Sequence, residues 1–142
     1  MNKRGFQLLE CLIVCALIAC LGGIGFGSLN SIIEWYRLQL GARAFVSQVS
    51  SVRSSAISRN VSLSVLIDPG GESYGWTLRG TESVIWRKLP PGVSFTRAPR
   101  NPVTFFSRGN AAPAGTFLLA NRKGEIKVVV APNGRVRWES VE

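Results

Sequence analysis

The chain opens Met1-Asn2-Lys3-Arg4-Gly5-Phe6-Gln7-Leu8-Leu9-Glu10-Cys11, and from Phe6 it stays apolar to Leu29, broken by one amide, Gln7, and one charge, Glu10. Its purely apolar part, residues 11–26 with Gly27, is close to the shortest helix that spans a bilayer, roughly 17 residues. Residues 6–29 are therefore expected to form a transmembrane helix. Lys3 and Arg4 precede it, and basic flanks stay on the cytoplasmic side, so everything after Ser28 is expected across the membrane. Gly22, Gly23, Gly25 and Gly27 each weaken helix propensity by about 1 kcal/mol relative to alanine, which allows a bend there.

Glu10 is the anomaly in this run. A carboxylate costs about 2.5 to 3.5 kcal/mol at the bilayer centre, less near the interface, and so needs a partner. Cleavage after Gly5 would make Phe6 the N-terminus and Glu10 the fifth residue, one helical turn away and able to pair with the α-ammonium of a neighbouring subunit. The basic leader, Gly5, Phe6 and Glu10 resemble the class III signal of type IV pilins and type II secretion pseudopilins. That resemblance implies a prepilin peptidase that cuts after Gly5 and methylates Phe6, and a role for Glu10 in aligning subunits during assembly. It divides the chain into a leader, 1–5, a transmembrane helix, 6–29, and an outer domain, 30–142. The rival readings are a lipoprotein signal, because Leu17-Ile18-Ala19-Cys20 fits a lipobox, although Glu10 would then sit within its apolar region, and an ordinary secretory signal cleaved among the small residues Gly22 to Ser28, which leaves Glu10 unexplained.

The composition narrows function by what it omits. The chain contains no histidine, which removes the usual general base and imidazole metal ligand. All three cysteines, Cys11, Cys15 and Cys20, lie in the apolar run, so the outer domain has no thiol for a disulfide, a nucleophile or a zinc site. A non-enzymatic protein without metal or cofactor is expected. Lys+Arg number 17 against 8 Asp+Glu, and from Arg87 to Arg137 ten basic residues face one acid, Glu125. Such an excess favours polyanions or anionic surfaces.

Beyond the membrane run, Trp35, Leu38, Ala42, Phe45, Val49, Val52 and Ala56 step by three and four along one helical stripe, while Arg37, Arg43, Ser47, Ser50 and Ser54 fall off it. Asn60 tolerates the left-handed conformation that ends helices. A helix over 6–59 would be about 80 Å long. After Asn60 the period becomes two, with Val61, Leu63, Val65 and Ile67 alternating until Asp68-Pro69-Gly70-Gly71 turns the chain. Further strands are expected over 75–79, 84–89, 93–97, 103–107, 116–121, 126–131 and 135–139, with residues 108–115 as a long loop. The class is α+β.

Three of these segments narrow the resemblance: residues 52–60 at the helix end, Val103-Thr104-Phe105-Phe106-Ser107-Arg108-Gly109, and residues 128–137 around Pro132-Asn133-Gly134. Together with the leader they resemble the GspH/FimT group of minor pilins and pseudopilins. The resemblance implies a long helix packed on two antiparallel sheets, other pilin subunits as partners, and residence in the bacterial inner membrane with a periplasmic domain that joins a pilus or pseudopilus.

Gly134-Arg135-Val136-Arg137 follows a turn and starts a strand, so period two puts both arginines on one face and Val136 and Trp138 on the other. The guanidiniums, roughly 6 to 7 Å apart along the strand, suit successive phosphates. This pattern resembles a DNA-contacting motif of FimT-type minor pilins used in natural transformation. Arg108, Arg122, Lys123 and Lys127 are candidate supplements, since the strands at 116–121 and 126–131 are expected beside the last one. Binding would be electrostatic and independent of sequence. The alternatives are a structural pseudopilin of a type II secretion system, or a minor pilin that primes assembly, with the basic face turned to protein.

Overall fold

The computed structural model describes residues 3–141, and the side chains at 8–21 and 29–141. Helix α1 (Lys3–Ser58) is followed by nine strands among the described residues. They are β1 (Leu63–Ile67), β2 (Ser73–Leu78), β3 (Ile85–Lys88), β4 (Ser94–Arg97), β5 (Val103–Phe105), β6 (Ala111–Ala112), β7 (Gly115–Asn121), β8 (Gly124–Val130) and β9 (Val136–Val141). The chain divides into two compact units, Met1–Ile33 and Glu34–Glu142.

In the first unit every described side chain at 8–21 is exposed, including Leu12, Ile13, Val14, Leu17, Ile18, Glu10 and the three free cysteines. Among the described residues no helix is long and apolar enough to cross a membrane. The expected span 6–29 includes side chains at 6, 7 and 22–28, with Gly22, Gly23, Gly25 and Gly27, that lie outside the described set, as do those of Gly5 and Phe6.

The second unit is built on the rest of α1. Leu38, Ala42, Phe45, Val49, Val52 and Ala56 are buried, and Arg37, Arg43, Ser47, Ser50 and Ser54 are exposed, as the three-four stepping requires. Trp35, which the same stepping puts on the buried stripe, is 53% exposed. It lines an open groove with Lys123, Gly124, Glu125, Ile126 and Trp138 at the edge of the second sheet. The helix ends as Asn60 predicts. Asn60 takes φ 52°, its N–H donates to the Ile57 carbonyl, and the Val61 N–H donates to the Ala56 carbonyl. This pair of bonds is the Schellman arrangement, which satisfies carbonyls the helix leaves open.

Two antiparallel sheets receive the helix, one ordered β3-β2-β1-β5-β6 and the other β4-β7-β8-β9. The chain leaves the first sheet after β3 to add β4 to the second, then returns for β5. Phe45, fully buried, stands where helix and both sheets meet. Its ring lies 5.1 Å from Tyr74 of the first sheet and 5.0 Å from Phe95 and Phe117 of the second, all edge-on. Such edge-to-face contacts add about 0.5 to 1.5 kcal/mol each beyond area burial. Val65, Val103 and Phe105 close the core from the first sheet, and Leu119, Ile126, Val128 and Val130 from the second.

Candidate nucleic-acid interface

Two turns of the same design build the site. In Ala131-Pro132-Asn133-Gly134-Arg135 the Gly134 N–H donates to the Ala131 carbonyl, and the Ala131 N–H donates to the Arg135 carbonyl, both at 2.9 Å. In Phe106-Ser107-Arg108-Gly109-Asn110 the Gly109 N–H donates to Phe106 O at 2.8 Å, and the Phe106 N–H to Asn110 O at 3.0 Å. Each is a three-residue loop that ends on a left-handed glycine, Gly134 with φ 77° and Gly109 with φ 81°. Glycine takes this conformation without steric cost, and the extra residue adds twist to the hairpin. The Asn133 side chain accepts from the Arg135 N–H at 3.0 Å and fixes the exit of the turn.

The turns are packed back to back. The Ala111 N–H donates to Pro132 O at 2.9 Å, and Gly134 presses so closely on the Gly109 carbonyl that a methyl group there would overlap it. Arg53 of α1 completes the junction: its Nε donates to Gly109 O at 2.8 Å and its Nη2 to Asn133 O at 3.3 Å. The helix thereby clamps a loop of one sheet to a turn of the other. Arg108 and Arg135, far apart in sequence, are carried on the two clamped turns.

Strand register places the remaining candidates. Along β9, Arg137 pairs with Val129, Trp138 with Val128 and Val136 with Val130. Val128 and Val130 are buried, so Val136 and Trp138 face the core and Arg137 the outer face; Arg135 stands just before the strand, and both arginines are exposed. Trp138 is further held by the Arg43 guanidinium, 5.8 Å from its ring centre. Lys127 projects on the same outer face as Arg137 but is paired directly with Glu139, an opposite-charge neighbour at about 5 Å between Cβ atoms. Arg122 and Lys123 occupy the β7–β8 turn at the other end of β8, about 20 Å away by strand rise. There Asn121 accepts from the Lys123 N–H at 2.9 Å and donates to the Glu34 carbonyl at 2.6 Å. The structure thus gathers Gly134, Arg135, Arg137 and Arg108, keeps Lys127 beside them, and separates Arg122 and Lys123. The arrangement offers forked donors on an open surface; among the described residues no His, Cys, Asp and Glu are grouped to hold a metal ion.

Sequence reasoning passed over Arg53, because its partners lie 56 and 80 residues away and no local pattern marks it.

A family model for the Type II transport protein GspH matches residues 41–134. The chain belongs to the GspH family. Pilin-like protein PilA1 of Thermus thermophilus is 27% identical over 161 residues, covering 98% of this chain and 100% of that protein. Type II secretion system protein H of Xanthomonas campestris pv. campestris is 38% identical over 66 residues, 46% of this chain and 39% of that protein. Among solved structures, the type IV minor pilin FimU of Pseudomonas aeruginosa superposes with a TM-score of 0.63 at 17% identity, over 76% of this chain and 92% of that one. The minor pseudopilin EpsH of the Vibrio cholerae type 2 secretion system gives 0.57 at 16% identity, over 73% and 97%. At these identities the likeness speaks to fold, and it agrees with the helix-on-two-sheets architecture expected from sequence. This GspH-family chain is a minor pilin or pseudopilin of a type IV pilus or type II secretion system. The family match stops at Gly134, so Arg135 and Arg137 lie just beyond it.

Proposed function

We propose that the protein is a minor pilin of a type IV pilus that binds duplex DNA through Arg135 and Arg137 without reading its sequence, in the manner of DNA uptake during natural transformation. One observation carries this reading: two exposed arginines stand two residues apart at the start of β9, Arg135 just before the strand and Arg137 on its outer face, beside a turn fixed to the helix. Guanidinium forks suit phosphate oxygens, and nothing in the arrangement is shaped to enter a groove and read base edges. Affinity then rests on counterion release. Duplex binding by the full chain in detergent micelles, followed by fluorescence anisotropy at two salt concentrations, tests it. Arg135→Ala with Arg137→Ala is expected to weaken binding at least tenfold and to lower the slope of log K against log salt by about 2; equal affinity removes the proposal.

The second reading is a structural pseudopilin of a type II secretion system, favoured by the similarity to protein H and by a family match that ends short of both arginines. There the basic face meets another subunit, and the same titration gives no arginine dependence. In both readings residues 6–29 anchor the chain in the inner membrane after a prepilin peptidase has cut at Gly5 and methylated Phe6, and Glu10 pairs with a neighbour's N-terminus. The exposed apolar side chains at 8–21 support this, since they need lipid or other subunits to cover them.

A further inference from the structure

Beyond Arg108, Arg135 and Arg137, three further arginines bear on the twin turns: Arg53, Arg59 and Arg79. Hydrogen bonds, contacts and short stretches of chain link them to β9. The Arg79 N–H donates to Ser62 O at 2.9 Å, which brings β2's end beside the chain leaving the helix at Arg59. Arg79 and Arg59 are both exposed. The Arg79 guanidinium lies 6.0 Å from the centre of the Phe106 ring, and Phe106 opens the turn that carries Arg108. That turn rests on Gly134, with Arg53 between, and Arg135 and Arg137 follow.

The series has two chemical features. All six of its cations are arginine; of the lysines, Lys127 stands near Arg137 on the outer face of the sheet, paired with Glu139, and Lys3, Lys88 and Lys123 stand elsewhere. No Asp or Glu occurs in residues 53–62, 103–112 or 129–138; the nearest acids along the chain are Glu82, three residues after Arg79, and Glu139, two after Arg137. A guanidinium stacked over an aromatic face keeps the N–H groups at its edge available, so Phe106 can orient Arg79 without consuming its donors.

Resting on the DNA reading above, we infer that the phosphate-binding surface is wider than β9: it is an arginine band across the end of the second unit where α1 stops, in which Arg59 and Arg79 contact the DNA backbone. Arg108, Arg135 and Arg137 form its other half. Arg53, whose donors are engaged by Gly109 and Asn133, adds its charge to the field and holds the halves together.

The test uses the full chain in detergent micelles and a 30-base-pair duplex, titrated over a salt series. Arg59→Gln with Arg79→Gln is expected to weaken binding about tenfold and to lower the salt slope by about 2, while Arg122→Gln with Lys123→Gln changes neither. Should the double variant fail to fold, Arg59→Gln alone is expected to lower the slope by about 1. An unchanged slope in these variants, with binding still lost on replacing Arg135 and Arg137, overturns this inference and leaves the proposed function standing. Loss in neither pair overturns both. Arginine-dependent binding to phosphatidylglycerol vesicles with no binding to the duplex also overturns it, since the band would then serve a lipid surface.

Discussion

At Gly134 two requirements meet in one residue. Its φ of 77° is left-handed, and the place where a Cβ would stand is taken by the Gly109 carbonyl and, at 2.6 Å, by Arg53 Nε. Gly92 has a similar φ, 82°, but open space around it. The pair separates backbone strain from contact. Gly92→Ala is expected to cost only the strain, about 1 kcal/mol, and Gly134→Ala about 1 to 3 kcal/mol more, because backbone and helix must move to admit the methyl. Urea unfolding of the two variants measures the difference; equal losses would mean that the turn yields freely and that Arg53 does not hold it. The glycine of the arginine motif is thus explained by packing, and its presence in a chain is not in itself a sign of DNA binding.

At the scale of elements, helix and strands were legible where a period runs long enough to be read. The stripe from Leu38 to Ala56, the Asn60 cap and eight of the strands follow from spacing, β-branched residues and turn clusters, within a residue or two at their ends. Ala111–Ala112 was hidden in the expected loop at 108–115, because two alanines carry no period; β6 exists through its pairing with Thr104 and Phe105. Trp35 continued the stripe in sequence but not in burial, since a helical period does not say where the sheets end. The outward face of Arg137 was legible from alternation, whereas Arg135 falls just before the strand, where alternation has no register to act on. The Arg53 junction was not, since it depends on where two turns converge. For α1 itself the decisive measurement is chemical. Mass analysis of the protein purified from membranes is expected to show a chain beginning with N-methyl-Phe6; a retained leader, or lipid on Cys20, would end the pilin account of Glu10.

For the molecule as a whole, the arginine band gives the second unit a charged end, while Arg122 and Lys123 sit with Glu34 and Glu125 nearby in the chain or the fold. Polyanion binding should therefore be directional. Stability should also fall in alkali. Burial raises the Tyr74 phenol above its ordinary 10.0, with the Arg87 charge opposing. As pH rises the unfolded chain loses that proton first, so above about pH 10 it binds fewer protons than the folded one and stability declines; below that the contribution is whole. Urea unfolding between pH 9 and 11 is expected to show a steeper decline for the wild type than for Tyr74→Phe, whose phenyl ring cannot ionise. Parallel declines would assign the alkaline loss to other groups.

The junction of the twin turns also has a mechanical meaning. Arg135 follows Gly134 directly, and Gly134 bears on the Gly109 carbonyl and Arg53. Tension on a polymer gripped at Arg135 would pass into the helix through a handful of atoms. The helix would then share the haul with the β8–β9 ladder.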